Sequence, residues 1–216
     1  MSLTVDLYWS FRSPYSYFVL GRLIRLAAEH DVDVVARPVY PLALRHPALM
    51  KNRLPQKARY FDLDTRRVAD QLGIPYEPAD PDPLVMAADG GAAKEQPYIH
   101  RLTRLGADAV RRERGLAFMH EVATVIWGGT RNWHQGDHLA KATQRAALDL
   151  AAMDRAVAAD PALYDLVLDE NGERLAAAGH WGTPTMVFQG EPFFGQDRYD
   201  VLVWRLKQNG LKARKR

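Results

Sequence analysis

Ser13 and Ser16 stand three residues apart in S-P-Y-S, directly after a run in which Leu3, Val5, Leu7 and Trp9 alternate with Thr4, Asp6 and Tyr8. That period of two predicts a strand. Pro14 suits the first position of a helix, and Tyr15, Phe18, Val19, Leu23 and Leu26 recur at helical spacing to about Glu29. Ser13 therefore sits at the mouth of a helix. As a cap, its side chain accepts a hydrogen bond from the first turn. As a reactive group, its hydroxyl would join the unpaired N–H groups and positive dipole of the helix start in holding an anion. Ser16 reads as a helix residue that faces solvent or bonds back to the preceding turn.

Two later stretches carry comparable signals. In G-H-W-G-T-P-T, Gly179–Thr185, Pro184 immediately precedes an apolar strand, and His180 and Trp181 either line a pocket beside it or pack inward. In F-G-Q-D-R, Phe194–Arg198, Asp197 is expected to cap the last helix, with Gln196 beside it; free N–H groups and the Asp197 carboxylate could hold the charged ends of a peptide. His134, Asp137 and His138 are possible metal ligands by type, but Gly136 breaks the helix that would align the two histidines, so no metal is expected. Trp127 and Trp133 read as core or pocket wall.

Composition removes several classes of chemistry. The 216 residues contain no cysteine, so disulfides, thiolate metal sites and protein thiol chemistry are excluded. Hydrophobic residues at 47% and charged residues at 25% give a soluble chain with ample core. No apolar run approaches the roughly 20 residues of a membrane span, and no basic-then-apolar leader is evident, so a cytoplasmic protein with no membrane partner is expected. Much of the net charge of +3 lies in Lys207, Lys212, Arg214, Lys215 and Arg216. That reads as a solvated end, with no nucleic-acid partner.

The elements that must position the candidate residues follow in order. Val32–Arg37 is a second strand, ending at Pro38, and strand, helix and strand make a right-handed βαβ unit. Tyr40–Pro55 is a basic loop carrying Arg45, Lys51 and Arg53. From Gln56 to about Ala178 the chain is mostly helical. Tyr60, Phe61, Asp64, Val68 and Leu72 trace one side of a helix stopped by Gly73, and four prolines make Ile74–Leu84 an ordered loop. Helical pieces follow from Ile99, along the stripe Phe118–Ile126, around Leu139–Ala147, over Leu150–Ala159, and after Asp160-Pro161, where Leu163, Leu166, Val167 and Leu175 are expected to face inward. Thr185–Gln189 is a strand, Gly190-Glu191 a turn and Pro192–Phe194 the returning strand. A last helix turns Tyr199, Leu202, Val203 and Leu206 inward.

The order β-α-β, helical insertion, β-β-α is that of the thioredoxin fold: α/β, a thioredoxin-like four-stranded mixed sheet with a helical domain inserted between its halves. Residues 1–41 and 179–216 form the thioredoxin-like part and 42–178 the inserted helical domain. Thioredoxin-like oxidoreductases begin the first helix with C-x-x-C, and S-x-x-S here cannot cycle between thiol and disulfide. The fold carries a cis proline before its third strand, so Thr183–Pro184 is expected to be cis and to present the Thr183 backbone to an extended peptide ligand.

The stretches S-P-Y-S-Y, G-T-P-T-M-V-F and F-F-G-Q-D-R together resemble the 2-hydroxychromene-2-carboxylate isomerases and the kappa-class glutathione transferases, over nearly the whole chain. The resemblance implies a DsbA-like thioredoxin fold, glutathione as cofactor, a homodimer, and a catalytic Ser13 that assists the glutathione thiolate. It also implies that Thr183 and Pro184 contact the cysteine backbone of glutathione, and Gln196 and Asp197 its γ-glutamyl end. Arg45 falls near a lysine that holds substrate in the isomerases. The sequence departs from the family with Ser10 where aspartate is frequent, Thr183 where valine or leucine is usual, and Gln196 where asparagine or serine is usual. The expected activity is glutathione-dependent isomerisation of an aromatic-derived acid by reversible thiolate addition, with Arg45, Lys51 or Arg53 on the carboxylate. A kappa-type transferase and a non-catalytic glutathione- or ligand-binding protein are the alternatives. A disulfide oxidoreductase is excluded by the missing cysteines, and a serine hydrolase lacks its G-x-S-x-G turn around Ser13.

Overall fold

The computed structural model describes residues 2–50 and 55–214. Lys51 and Arg53, and Lys215 and Arg216 at the end of the basic tail, lie outside the described residues. Strand β1 (Leu3–Trp9), helix α1 (Pro14–Glu29) and strand β2 (Val32–Pro38) form the first unit. The middle of the chain supplies α2 (Leu42–Arg45), a single 3-10 turn at Pro47–Met50, α3 (Pro55–Leu72), α4 (Ile99–Arg111), α5 (Gly115–Trp127), α6 (His138–Arg145), α7 (Leu150–Ala159) and α8 (Pro161–Ala177). Strands β3 (Thr185–Phe188) and β4 (Glu191–Phe194) and helix α9 (Tyr199–Gln208) complete it. None of the described helices is long and apolar enough to cross a membrane.

The sheet is mixed and four-stranded, in the order β2-β1-β3-β4. β1 runs parallel to β2, with Leu3 opposite Val32 and Trp9 opposite Pro38, and antiparallel to β3, with Tyr8 opposite Thr185. This is the expected α/β architecture. Leu7 and Met186, opposite each other, enter the main core. Tyr8, expected on the polar face, is buried as well: with Val187 it forms a second cluster with Val39 and Leu175 of α8. Both faces are thus covered where β1 ends, while Thr4, exposed, and Asp6, paired with Arg37 at 2.8 Å, keep the polar role on that face.

The main core is continuous from the sheet into the helical segment. Phe11, fully buried, lies edge-on to Trp9 at 4.5 Å and to Phe118 of α5 at 6.2 Å. A β-carbon at Gly106 of α4 would come within 3.0 Å of the Phe11 ring, so glycine is what lets α4 approach this closely. The Trp127 indole N–H donates to the Phe11 carbonyl at 3.0 Å, and that of Trp133 to the Pro81 carbonyl at 2.7 Å, which places both tryptophans in the core.

Three local expectations change. The hairpin turn is Gln189-Gly190, both left-handed at φ 52° and 82°, because Glu191 already pairs with Phe188; a two-residue hairpin takes a turn with positive φ to match the strand twist. Leu166 points to solvent, and the inward side of α8 is Tyr164, Leu168, Asn171 and Leu175. On α3 the buried residues are Thr65 and Ala69, while Tyr60, Phe61 and Leu63 are exposed; the helix packs against α1, where Phe61 lies edge-on to Tyr15 at 5.6 Å. The caps agree: Asp160 Oδ1 accepts from the Leu163 N–H at 3.1 Å, behind Pro161 at the first position.

Phe11→Ala is expected to lower stability by about 3–5 kcal/mol in urea unfolding, the range for emptying a fully buried phenylalanine site. A loss under about 1 kcal/mol would show that the sheet and the helical segment do not share one core.

Candidate functional site

Ser13 has an extended backbone, φ −105° and ψ 110°, and stands as N-cap to α1 with Pro14 at the first position. Its Oγ accepts from the Ser16 N–H at 3.1 Å. The same hydroxyl donates to the Thr183 carbonyl at 3.2 Å. The Thr183–Pro184 bond is cis, as expected, and a second cis bond lies at Asp80–Pro81. On the far side of Pro184, its carbonyl accepts from the Gly195 N–H at 2.9 Å. The S-P-Y-S, G-T-P-T and F-G-Q-D-R stretches thus meet through two hydrogen bonds. Among the described residues, the N–H groups of Tyr15 and Thr183 find no partner. What the three stretches build is a helix mouth with a donor N–H, a hydroxyl, and an open backbone edge.

Ser16 departs from expectation. It neither faces solvent nor bonds back to the helix: it is 0% exposed, and its Oγ has no hydrogen-bond partner. Asp197 departs as well. Residues Gln196–Arg198 form a 3-10 turn before α9, Gly195 takes φ 99° as its leading residue, and no side chain caps it. The Asp197 carboxylate folds back over Gly195, where any side chain would collide with it, and pairs with Arg198 at 3.0 Å. Gln196 is buried, and its carbonyl accepts from Arg22 of α1 at 3.2 Å. Asp197 is therefore an exposed carboxylate inside the 3-10 turn, two residues past the Gly195 that bonds Pro184, and neither that turn nor α9 has a side-chain cap.

The helical segment holds the helix mouth from the other side, through contacts with no local sequence signal. Arg12 makes a two-pronged pair with Asp82, at 3.0 Å through Nε and 3.0 Å through Nη2. The Tyr15 hydroxyl donates to Asp64 of α3 at 2.6 Å. Burial foremost, then the Asp64 carboxylate, raises the Tyr15 pKa and keeps it a neutral donor. Arg45 donates from Nε to the Tyr40 carbonyl and from Nη2 to the Trp181 carbonyl, both at 2.7 Å. It pairs with no carboxylate among the described residues, and burial pushes its pKa down to about 10. Tyr40 is fixed in turn: its hydroxyl donates to Asp165 at 2.6 Å, and Arg104 grips the same carboxylate through two bonds.

His180 and Trp181 lie against Phe194, beside the cis proline. The histidine loop is dispersed: the His134 ring packs on Tyr98 at 4.7 Å, and Asp137 pairs with Lys141 at 2.9 Å. Among the described residues no cluster of three potential ligands is placed to hold a metal.

Comparison with known proteins bears on this geometry. The profile of the family described as DSBA-like thioredoxin domain matches residues 4–207. A curated relative, 2-hydroxychromene-2-carboxylate isomerase of Pseudomonas putida, is 23% identical over 204 residues, covering 93% of this chain and 92% of that one. A solved structure of 2-hydroxychromene-2-carboxylate isomerase superposes with a TM-score of 0.72 at 21% identity, covering 96% of both chains. The cytosolic disulfide reductase DsbM from Pseudomonas aeruginosa, solved with GSH, gives a TM-score of 0.63 at 15% identity, covering 96% of this chain and 98% of that one.

The Tyr40–Asp165–Arg104 knot should leave a signature in acid. The hydrogen bonds from Arg104 foremost, and then Tyr40, hold the Asp165 carboxyl below its ordinary pKa. A carboxyl depressed on folding adds stability above its unfolded value, about 3.9, and that contribution is lost as pH falls through the folded value. Asp165→Asn should therefore be less stable than wild type at pH 7, and the difference should shrink below about pH 4. With the side chain 36% exposed, solvent screening limits the difference to about 1 kcal/mol. Urea unfolding at several pH values measures it, and a constant difference across the range would remove the carboxylate's role.

Proposed function

The chain belongs to the DSBA-like thioredoxin domain family, and we propose that it is a glutathione-dependent isomerase acting on 2-hydroxychromene-2-carboxylate-like, aromatic-derived acids. The observation that carries this reading is the Ser13 hydroxyl, which joins the mouth of α1 to the residue before cis Pro184 in a chain without cysteine. With no protein thiol, a thiolate at this helix end has to come from a ligand. The likeness to 2-hydroxychromene-2-carboxylate isomerase and to DsbM, a structure solved with GSH, supports both the reaction and the ligand.

The residues present fit glutathione. The unpartnered Thr183 N–H, beside the carbonyl that holds Ser13, offers an edge for an extended peptide, and the exposed Asp197 carboxylate is suited to a ligand amine. When bound, glutathione supplies a thiolate that adds reversibly to an activated double bond, allowing rotation before elimination. The protein's part follows from one proton. Ser13 has a single O–H, committed here to the Thr183 carbonyl. With a ligand N–H on that carbonyl, the Ser13 hydroxyl would be free to donate to a thiolate, while the Ser16 N–H would still hold Oγ. The exchange leaves no polar group unpaired, and the hydroxyl, the Tyr15 N–H and the helix dipole then all favour the charged thiolate. Arg45, already desolvated and without a carboxylate partner among the described residues, would receive the substrate carboxylate. The homodimer implied by the family resemblance belongs to the same proposal.

The test follows ultraviolet thiolate absorbance against pH with glutathione saturating. Ser13→Ala should raise the pKa of the bound thiol by about one unit, equivalent to 1.36 kcal/mol and within the range of one charge-assisted hydrogen bond. The loss of the cap, about 0.5–2 kcal/mol, is read separately from urea unfolding. Identical titrations would leave Ser13 as a cap alone. Absence of calorimetric heat and of thermal protection by millimolar glutathione would overturn the assignment.

A further inference from the structure

Two large aromatic side chains remain exposed on the segments that flank the cis proline, Trp181 at 46% and Phe194 at 43%. They are not scattered. The His180 ring stacks on Phe194 at 4.1 Å and 24°, and on Trp181 at 5.1 Å and 20°, so three rings form one block. The block is seated on Gly182, where any side chain would collide with the Phe194 ring and crowd His180. Gly182 immediately precedes Thr183, whose carbonyl holds Ser13. An exposed aromatic patch that borders a reactive hydroxyl is a surface in want of a ligand.

The block also has a defined charge environment. His180 Nδ1 accepts from the Gly182 N–H at 2.9 Å, which fixes the neutral tautomer with its proton on Nε2. Burial lowers the His180 pKa in the same sense. The rings therefore present an uncharged π surface. Next to it stands a cation: Arg45 is anchored to the carbonyl of Trp181 itself, and no carboxylate among the described residues neutralises it. A flat neutral face joined to an unmatched guanidinium selects a flat ring that carries a negative charge. It disfavours an aryl cation, and it gives an aliphatic acid the charge contact without the stacking.

We propose that His180, Trp181 and Phe194 form a stacking shelf for the ring of a planar aryl carboxylate whose charge is met by Arg45. This deepens the function proposed above, on which it rests for the reaction, by assigning the specificity for an aromatic substrate to the residues just before the cis proline.

The shelf is tested without glutathione, by calorimetric titration of trans-cinnamate into the full chain. Trp181→Ala, which removes a half-exposed ring and leaves the backbone carbonyl on Arg45 in place, should weaken cinnamate about tenfold, and Trp181→Phe should restore most of the affinity. On the unmodified protein, 3-cyclohexylpropanoate and cinnamamide should each bind about tenfold more weakly than cinnamate, the first lacking the flat ring and the second the charge. Unchanged cinnamate affinity in Trp181→Ala, equal binding of the cyclohexyl acid, or no cinnamate binding to wild type would each overturn the shelf. Glutathione is titrated in parallel and should bind Trp181→Ala as it binds wild type. If glutathione fails to bind while cinnamate behaves as expected, the glutathione reading falls and the shelf stands.

Discussion

A hydroxyl group has one proton, and much of this structure is arranged around where Ser13 spends it. Its oxygen closes the first turn of α1 by accepting from Ser16, and its proton bridges to the carbonyl of Thr183, 170 residues away. The bridge joins the βαβ front of the chain to its ββα back just beyond the end of β1 and before β3. Because Oγ accepts from Ser16 and donates its proton to Thr183, the cap and the bridge do not compete for the same lone pair. The proposed mechanism needs no movement of α1, only rotation of one hydroxyl.

The helical segment enters this picture as a frame. Phe11, at the end of β1, packs against Trp9 and Phe118, so the turn that delivers Ser13 is set in a core shared with α5. Arg12 to Asp82 and Tyr15 to Asp64 then fix the residues on either side of Ser13 and Pro14 from two different parts of the segment. On the opposite wall, Asp165 holds Tyr40, the Tyr40 carbonyl holds Arg45, and Arg45 holds the Trp181 carbonyl. A line of hydrogen bonds thus runs from α8 to the loop before the cis proline. Rigidity of that loop matters, because the loop carries the shelf, the open Thr183 edge and the partner of Ser13.

The fold is shared with a disulfide reductase and an isomerase. What divides these chemistries at a helix mouth is the sulfur. A protein thiol there can exchange with a disulfide; a serine can only hydrogen-bond to a sulfur brought from outside. This chain has no cysteine anywhere, so its positive helix end carries a hydroxyl in place of a thiol.

By itself the sequence determined the parts that rest on local periodicity and on backbone chemistry. Alternation in Leu3–Trp9, the Ser13-Pro14 cap, the Asp160-Pro161 cap and the position of Pro184 each follow from the residues within one turn, and each is found in the structure. Where a neighbour distant in sequence decides the outcome, local reading fails. Tyr8 is buried because α8 covers the second face of the sheet, and Phe61 stays exposed because α3 packs against α1 through Thr65 and Ala69 on its buried side. Asp197 gives no cap because it lies inside a 3-10 turn that precedes α9 and its carboxylate pairs with Arg198. The site divides in the same way. Ser13, Thr183 and Asp197 were legible as motif residues, but the bond from Ser13 to Thr183, the pinning of Arg45 by Trp181 and the ring stack on Gly182 join positions with no common period or motif. Only the tertiary structure could decide those, because a hydrogen bond or a ring stack between remote segments depends on the sheet order and on the packing of the helical segment, and neither leaves a trace in the spacing of the residues that make it.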